Sequence, residues 1–107
     1  MDDTVKLPED CEDMRDVRAG VDALDRRLVD LLALRFGYMR AAARIKPERS
    51  HVRDEERKAA VIAAATHHAA QNGIPAEAIG QIWEHLVEAS IAYEMIEWDR
   101  LKNDDRA

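Results

Sequence analysis

The sequence predicts an all-α chain of three helices, the first of them very long. Apolar residues recur at spacings of four and three (Val17, Val21, Leu24, Leu28, Leu31, then Tyr38, Ala42 and Ile45), which is the period of one helix face. Glycine (4 residues) and proline (3) are scarce, and β-branched runs are absent. Alanine carries much of the 47% apolar content while aromatics make up 5%, a composition suited to closely packed helices. At 107 residues the chain reads as one domain, residues 1–107, with its core at about 8–102.

Pro8, Glu9 and Asp10 read as a turn and a helix start. From about Asp13 to Lys46 nothing breaks a helix except Gly20 and Gly37, each tolerable singly, and Pro47 then stops it. Such a helix would extend about 50 Å, whereas a compact globule of this size is about 35 Å across. One protomer cannot cover that helix, so a second protomer is expected. Residues 47–53 are polar and read as a loop, and Ser50 or Asp54 can cap a second helix running to about Gln71. Asn72-Gly73 is a helix stop, and Pro75 suits the first turn of the next helix. The third helix is expected from about Ala76 to Lys102, with Trp83, Val87, Ser90, Glu94 and Trp98 on a shared stripe and the tail NDDRA frayed.

The formal net charge of −6 argues against nucleic acid or an acidic membrane as the main partner. His67 and His68 are helix neighbours that point about 100° apart, too divergent to share an ion, so no metal site is expected. Cys11 is the only cysteine, which excludes an intrachain disulfide and suits a reducing compartment. The opening MDDTVKLPEDC is acidic and has no apolar run, so it reads neither as a secretory signal nor as a membrane span. A cytoplasmic chain is expected.

Several polar groups stand where packing prefers none. Arg35 occupies the position in the first-helix stripe between Leu31 and Tyr38, where a guanidinium is costly unless an anion meets it. Lys46, eleven residues on, projects within about 20° of Arg35 on a continuous helix. Two cations on one inward face, with small Ala42 and Ala43 between, suggest a hole for a negatively charged small molecule. Ser90 and Glu94 share one face of the third helix. Arg57 follows in the first turns of the second helix, where it also reads as a solvated charge; Arg18 can pair with Asp22 at the surface, and Glu94 can reach water beside Arg100 or Lys102. Arg18 and Arg35 lie about 25 Å apart along one helix. If both bind one small ligand, Arg18 serves the site of the partner protomer.

Together these residues resemble the all-helical chorismate mutases and the related isochorismate pyruvate lyase. The resemblance runs over about residues 8–100, through RAGVDALDRRLVDLLALR (Arg18 to Arg35), YMRAAARIK ending at Lys46, VRDEER at 52–57 and QNG at 71–73. It implies an intertwined homodimer, a small dicarboxylate substrate and no cofactor. By the same resemblance Arg35 and Arg18 from the partner protomer bind the two carboxylates, and Lys46 donates to the ether oxygen whose bond breaks. Arg57 completes the cationic cage, and Asp54 and Ser90 line it. Glu94 falls where many relatives carry glutamine, the second donor to that oxygen. Lys58 stands where a mutase can carry a glutamate contacting the substrate hydroxyl. The PEDC and YMRAAARIK segments look more like the lyase, whereas VRDEER, Ser90 and Glu94 look more like the mutases. The expected activity is therefore rearrangement of chorismate to prephenate, with isochorismate cleavage to salicylate and pyruvate as the alternative. A non-enzymatic helical dimerisation module is the third reading, and it has no need of cations at Arg35 and Lys46.

Overall fold

The computed structural model describes residues 5–106, the last two by backbone alone. Residues 1–4, in the acidic opening segment, and Ala107 of the tail lie outside the described residues. The described residues form a 3-10 turn at Pro8–Asp10, helix α1 at Met14–Ile45, a 3-10 turn at Arg49–His51, helix α2 at Glu55–Gln71 and helix α3 at Ala76–Arg106, with no strand among them. Helix α1 has 32 residues, one fewer at each end than the span from Asp13 to Lys46 that the sequence predicts, and is about 48 Å long at the standard rise. The chain divides into two compact units between Gly37 and Tyr38, within α1.

In the first unit the segment before α1 folds back on its opening turn. Asp13 caps the helix, its Oδ1 accepting the Asp16 N–H at 2.9 Å. Asp16 accepts the Glu12 N–H at 3.0 Å and the Lys6 ammonium at 3.1 Å, and these two donors hold its carboxyl below the usual range. The apolar face of α1 remains open in this chain: Val21, Leu24, Leu28 and Leu31 are 50–60% exposed.

The second unit is organised by α2 packed on α3, with Val52, Ala69 and Val87 buried. Gly80 permits close approach of the helices, since a Cβ there would stand 3.1 Å from Thr66 Cγ2. Of the two candidate caps for α2, Asp54 is used: its Oδ1 accepts the Arg57 N–H at 3.0 Å. Asn72 closes the helix, and Gly73 follows at φ +70°, the left-handed conformation that favours glycine. A charge cluster ties the start of α2 to α3: Arg53 meets Glu88 at 2.8 Å, and Lys58 meets Glu84 at 2.7 Å and Glu88 at 2.9 Å. Helix α3 continues past Lys102 into the tail expected to fray. Arg100 explains part of that extension, pairing with Glu97 at 2.9 Å and Asp104 at 3.2 Å on successive turns.

Two outcomes follow for stability. Gly73→Ala forces a Cβ into left-handed backbone and should cost about 1–2 kcal/mol, read as a lowered denaturation midpoint at unchanged m-value. Arg53 and then Lys58 hold the Glu88 carboxyl down to about 2, below its ordinary 4.5. Between those values the unfolded chain binds more protons at this residue, so the stability it contributes is present above about pH 4.5 and is lost as pH falls towards about 2. Chemical denaturation across that window should therefore show a shallower pH dependence in Glu88→Gln. An identical slope would contradict the assignment.

Candidate functional site

Proline at 47 shapes the end of α1 and thereby places Lys46. The Lys46 N–H makes the last helical bond, to the Ala42 carbonyl at 2.9 Å, and the proline ring then turns the chain out of the helix. From this point Lys46 Nζ meets Glu94 Oε2 at 2.7 Å. Glu94 projects from the middle of α3 and its side chain is 6% exposed, against 30% for Lys46. The bland expectation for Glu94, a carboxylate reaching water beside Arg100 or Lys102, is not what forms. Arg100 is engaged with Glu97 and Asp104, and the Lys102 ammonium stands 5.2 Å over the Trp98 ring.

Helix α3 presents the rest of this centre in successive turns. Ser90 is buried one turn before Glu94, its Oγ donating to the Leu86 carbonyl at 2.7 Å, and Val87 is buried beside it in sequence register. One turn after Glu94, Trp98 Nε1 donates to the Lys46 carbonyl at 3.1 Å. Lys46 is thus held at both ends by one face of α3, its ammonium by Glu94 and its carbonyl by Trp98. Next to these, Arg40 donates to the Tyr93 hydroxyl at 2.9 Å, and Arg49 pairs with Asp99 at 2.9 Å and 3.3 Å. Sequence reasoning placed Trp98 on the stripe but assigned it no polar role. The sequence puts an indole donor on the same helix face as Glu94, four residues on, but its acceptor lies 52 positions away, where no local pattern reaches.

The other expected site residues have different surroundings. Asp54 is exposed and its Oδ1 serves the cap of α2, while Arg57 is exposed in the first turn of that helix. Both belong to the second unit, with Lys46, Ser90 and Glu94. Arg18 and Arg35 lie on the α1 segment of the first unit, Arg18 exposed and Arg35 half-buried with an interaction of its own. Lys58, bound to two carboxylates, is directed to α3. Among the described residues no cluster of three or more His, Cys, Asp or Glu could hold a metal ion, and no helix is long and apolar enough to cross a membrane.

An ammonium beside a buried carboxylate is a strong electrostatic element. Removing one member of a fully buried pair costs about 3–5 kcal/mol, and partial exposure of Lys46 reduces that here. The ammonium has three donors, and Glu94 Oε2 accounts for one of them in this geometry. It is chemically equipped to donate to an oxygen on which negative charge develops.

The chorismate mutase type II family model matches residues 17–95, a span that contains Arg18, Arg35, Lys46, Arg57, Ser90 and Glu94. The chain is also 30% identical over 94 residues to an isochorismate pyruvate lyase of Pseudomonas aeruginosa, which covers 88% of this chain and 93% of that protein. The helical order, the long α1 and the span of the family match lead to one conclusion: the chain belongs to the chorismate mutase type II family.

Proposed function

We propose that the chain rearranges chorismate to prephenate in a cationic pocket, with Lys46 donating to the ether oxygen of the bond that breaks. The observation that carries this reading is the Lys46–Glu94 pair, an ammonium held at 2.7 Å on a buried carboxylate inside the span of the family match. The reaction is pericyclic and forms no covalent enzyme intermediate. Its barrier is lowered by holding the flexible dianion in a folded, reactive conformer and by placing donors where the ether oxygen gains charge. A million-fold acceleration corresponds to about 8 kcal/mol, which these two effects supply together. Arg35 and Arg18 of the partner subunit bind the carboxylates, Arg57 extends the cage, and Asp54 and Ser90 line it. The open apolar face of α1 supports the homodimer that this arrangement needs, because Val21, Leu24, Leu28 and Leu31 are all at least half exposed in the single chain. A hollow beside Leu7, Val17 and Val21 in the first unit continues that apolar surface.

Cleavage of isochorismate to salicylate and pyruvate is the second reading, and the lyase relative favours it. That reaction breaks the same kind of ether bond in a cyclic transition state and calls for the same donors. Incubating the pure protein separately with chorismate and isochorismate distinguishes the two. Prephenate supports the first reading, salicylate with pyruvate the second, and turnover of neither contradicts both.

Arg35→Ala should reduce kcat/KM by about a hundredfold or more, the scale of losing one preorganised charged donor. Near-native activity in that variant would remove Arg35 from the pocket. Mixing inactive Arg18→Ala and Arg35→Ala protomers should restore some activity, because each mixed dimer has one pocket with neither lesion. About half the dimers are mixed at statistical exchange, so roughly a quarter of wild-type activity per site is expected. No recovery after verified exchange would place Arg18 outside the partner's pocket.

Glu94 generates a prediction from its charge. Paired with Lys46 the carboxylate only accepts hydrogen bonds, and it repels charge developing on the ether oxygen. A neutral amide donates there instead, so Glu94→Gln should retain or raise kcat, whereas Glu94→Ala should be poor. Undiminished activity in the alanine variant would place Glu94 away from the reacting oxygen.

A further inference from the structure

The end of α1 poses an accounting problem that Trp98 solves. In a continuing helix the Lys46 carbonyl would accept the N–H of residue 50, but the chain leaves the helix at Pro47. That carbonyl lies in a part-buried position, where lack of a donor is costly. Trp98 Nε1 supplies the donor from α3 at 3.1 Å. The same helix supplies Glu94, four residues earlier, to the ammonium of the same lysine. The backbone of Lys46 and the tip of its side chain are therefore referenced to one rigid face rather than to a loop. Asp99 on Arg49 adds a neighbouring tie between α3 and this region, and Lys102 stands over the indole ring from the next turn of α3 itself.

We infer that Trp98 is a positioning residue for the Lys46 ammonium, acting through the hydrogen bond from its indole N–H to the Lys46 carbonyl. Lysine has a long flexible stem, so fixing only its charged tip leaves the root of the side chain free to shift. Anchoring the carbonyl fixes the root, and the Nζ position then depends on few remaining torsions. The role in catalysis rests on the pocket reading above; the anchoring itself does not.

The test is to remove the N–H while retaining the ring. Trp98→Phe is the simple variant, and a benzothienyl side chain at 98 replaces the indole N–H with sulfur at nearly constant shape if the phenylalanine variant folds poorly. On whichever candidate substrate the wild type turns over, kcat should fall about ten- to a hundredfold with KM little changed, the scale of misplacing a group by up to about 1 Å. The same substitution in a Lys46→Gln background should cost little more, because the group being positioned is already gone; this amide can still donate to Glu94. Equal losses in both backgrounds would mean a purely structural role and would overturn the inference, as would a folded variant with unchanged kcat. A readout independent of activity is hydrogen exchange of the Lys46 ammonium, followed by NMR in lysine-labelled protein. Exchange should be faster in the Trp98 variants than in the wild type. Unchanged exchange would refute the anchoring even if neither substrate is turned over, and faster exchange in that case would uphold it while the proposed function fails.

Discussion

The ion pair between Lys46 and Glu94 fixes how the end of α1 meets α3. A carboxylate with a side chain only 6% exposed is tolerated where a cation and further polar contacts meet it. Here the cation comes from the last residue before Pro47, so meeting Glu94 requires α1 to end at a particular point and α3 to pass that point in mid-helix. The proline, the anchored carbonyl and the indole at Trp98 all serve that requirement. A stabilising core alone would place an apolar pair there at lower cost.

Around that pair the energetics are graded. The Arg53, Lys58, Glu84 and Glu88 cluster is more open to water, so its individual pairs contribute modestly while their number aligns the start of α2 with α3. Asp54 shows how one residue can be claimed by two roles. The resemblance makes it a lining residue, while the structure gives its Oδ1 to the Arg57 N–H at the N-terminus of α2. A capping bond orients the first turn, so Asp54 influences where Arg57 begins even without touching a ligand. The proposed lining role thus requires the other carboxylate oxygen, or release of the cap.

The helices were legible because their signals are local. Four-three periodicity, Pro47, Asn72-Gly73 and Pro75 predict boundaries within about a residue of those of α1 and α2 and of the start of α3. The far end of α3 was not, because Arg100 links successive turns in a tail whose composition reads as frayed. In the site, Lys46 and Glu94 stood out as charged residues on apolar faces, but their mutual pairing spans 48 positions and no local pattern encodes it. Trp98 was missed for the same reason: its ring fits the stripe, and only the three-dimensional position of the α1 terminus gives its N–H a partner. Arg18 and Arg35 illustrate the converse: if both bind one small ligand, as proposed, their separation along one helix assigns Arg18 to a second protomer, which the single chain does not show.

In the proposed pocket the Lys46 ammonium faces the reacting ether oxygen, and a ligand-bound crystal structure is the sharpest test of that placement. The ligand would be a stable bicyclic ether diacid shaped like the cyclic transition state. Lys46 Nζ should lie within about 3 Å of the ether oxygen, with Arg35 on one carboxylate and Arg18 of the partner subunit on the other. A ligand bound away from Lys46, with the Lys46–Glu94 pair intact and its ether oxygen met by other groups, would contradict it.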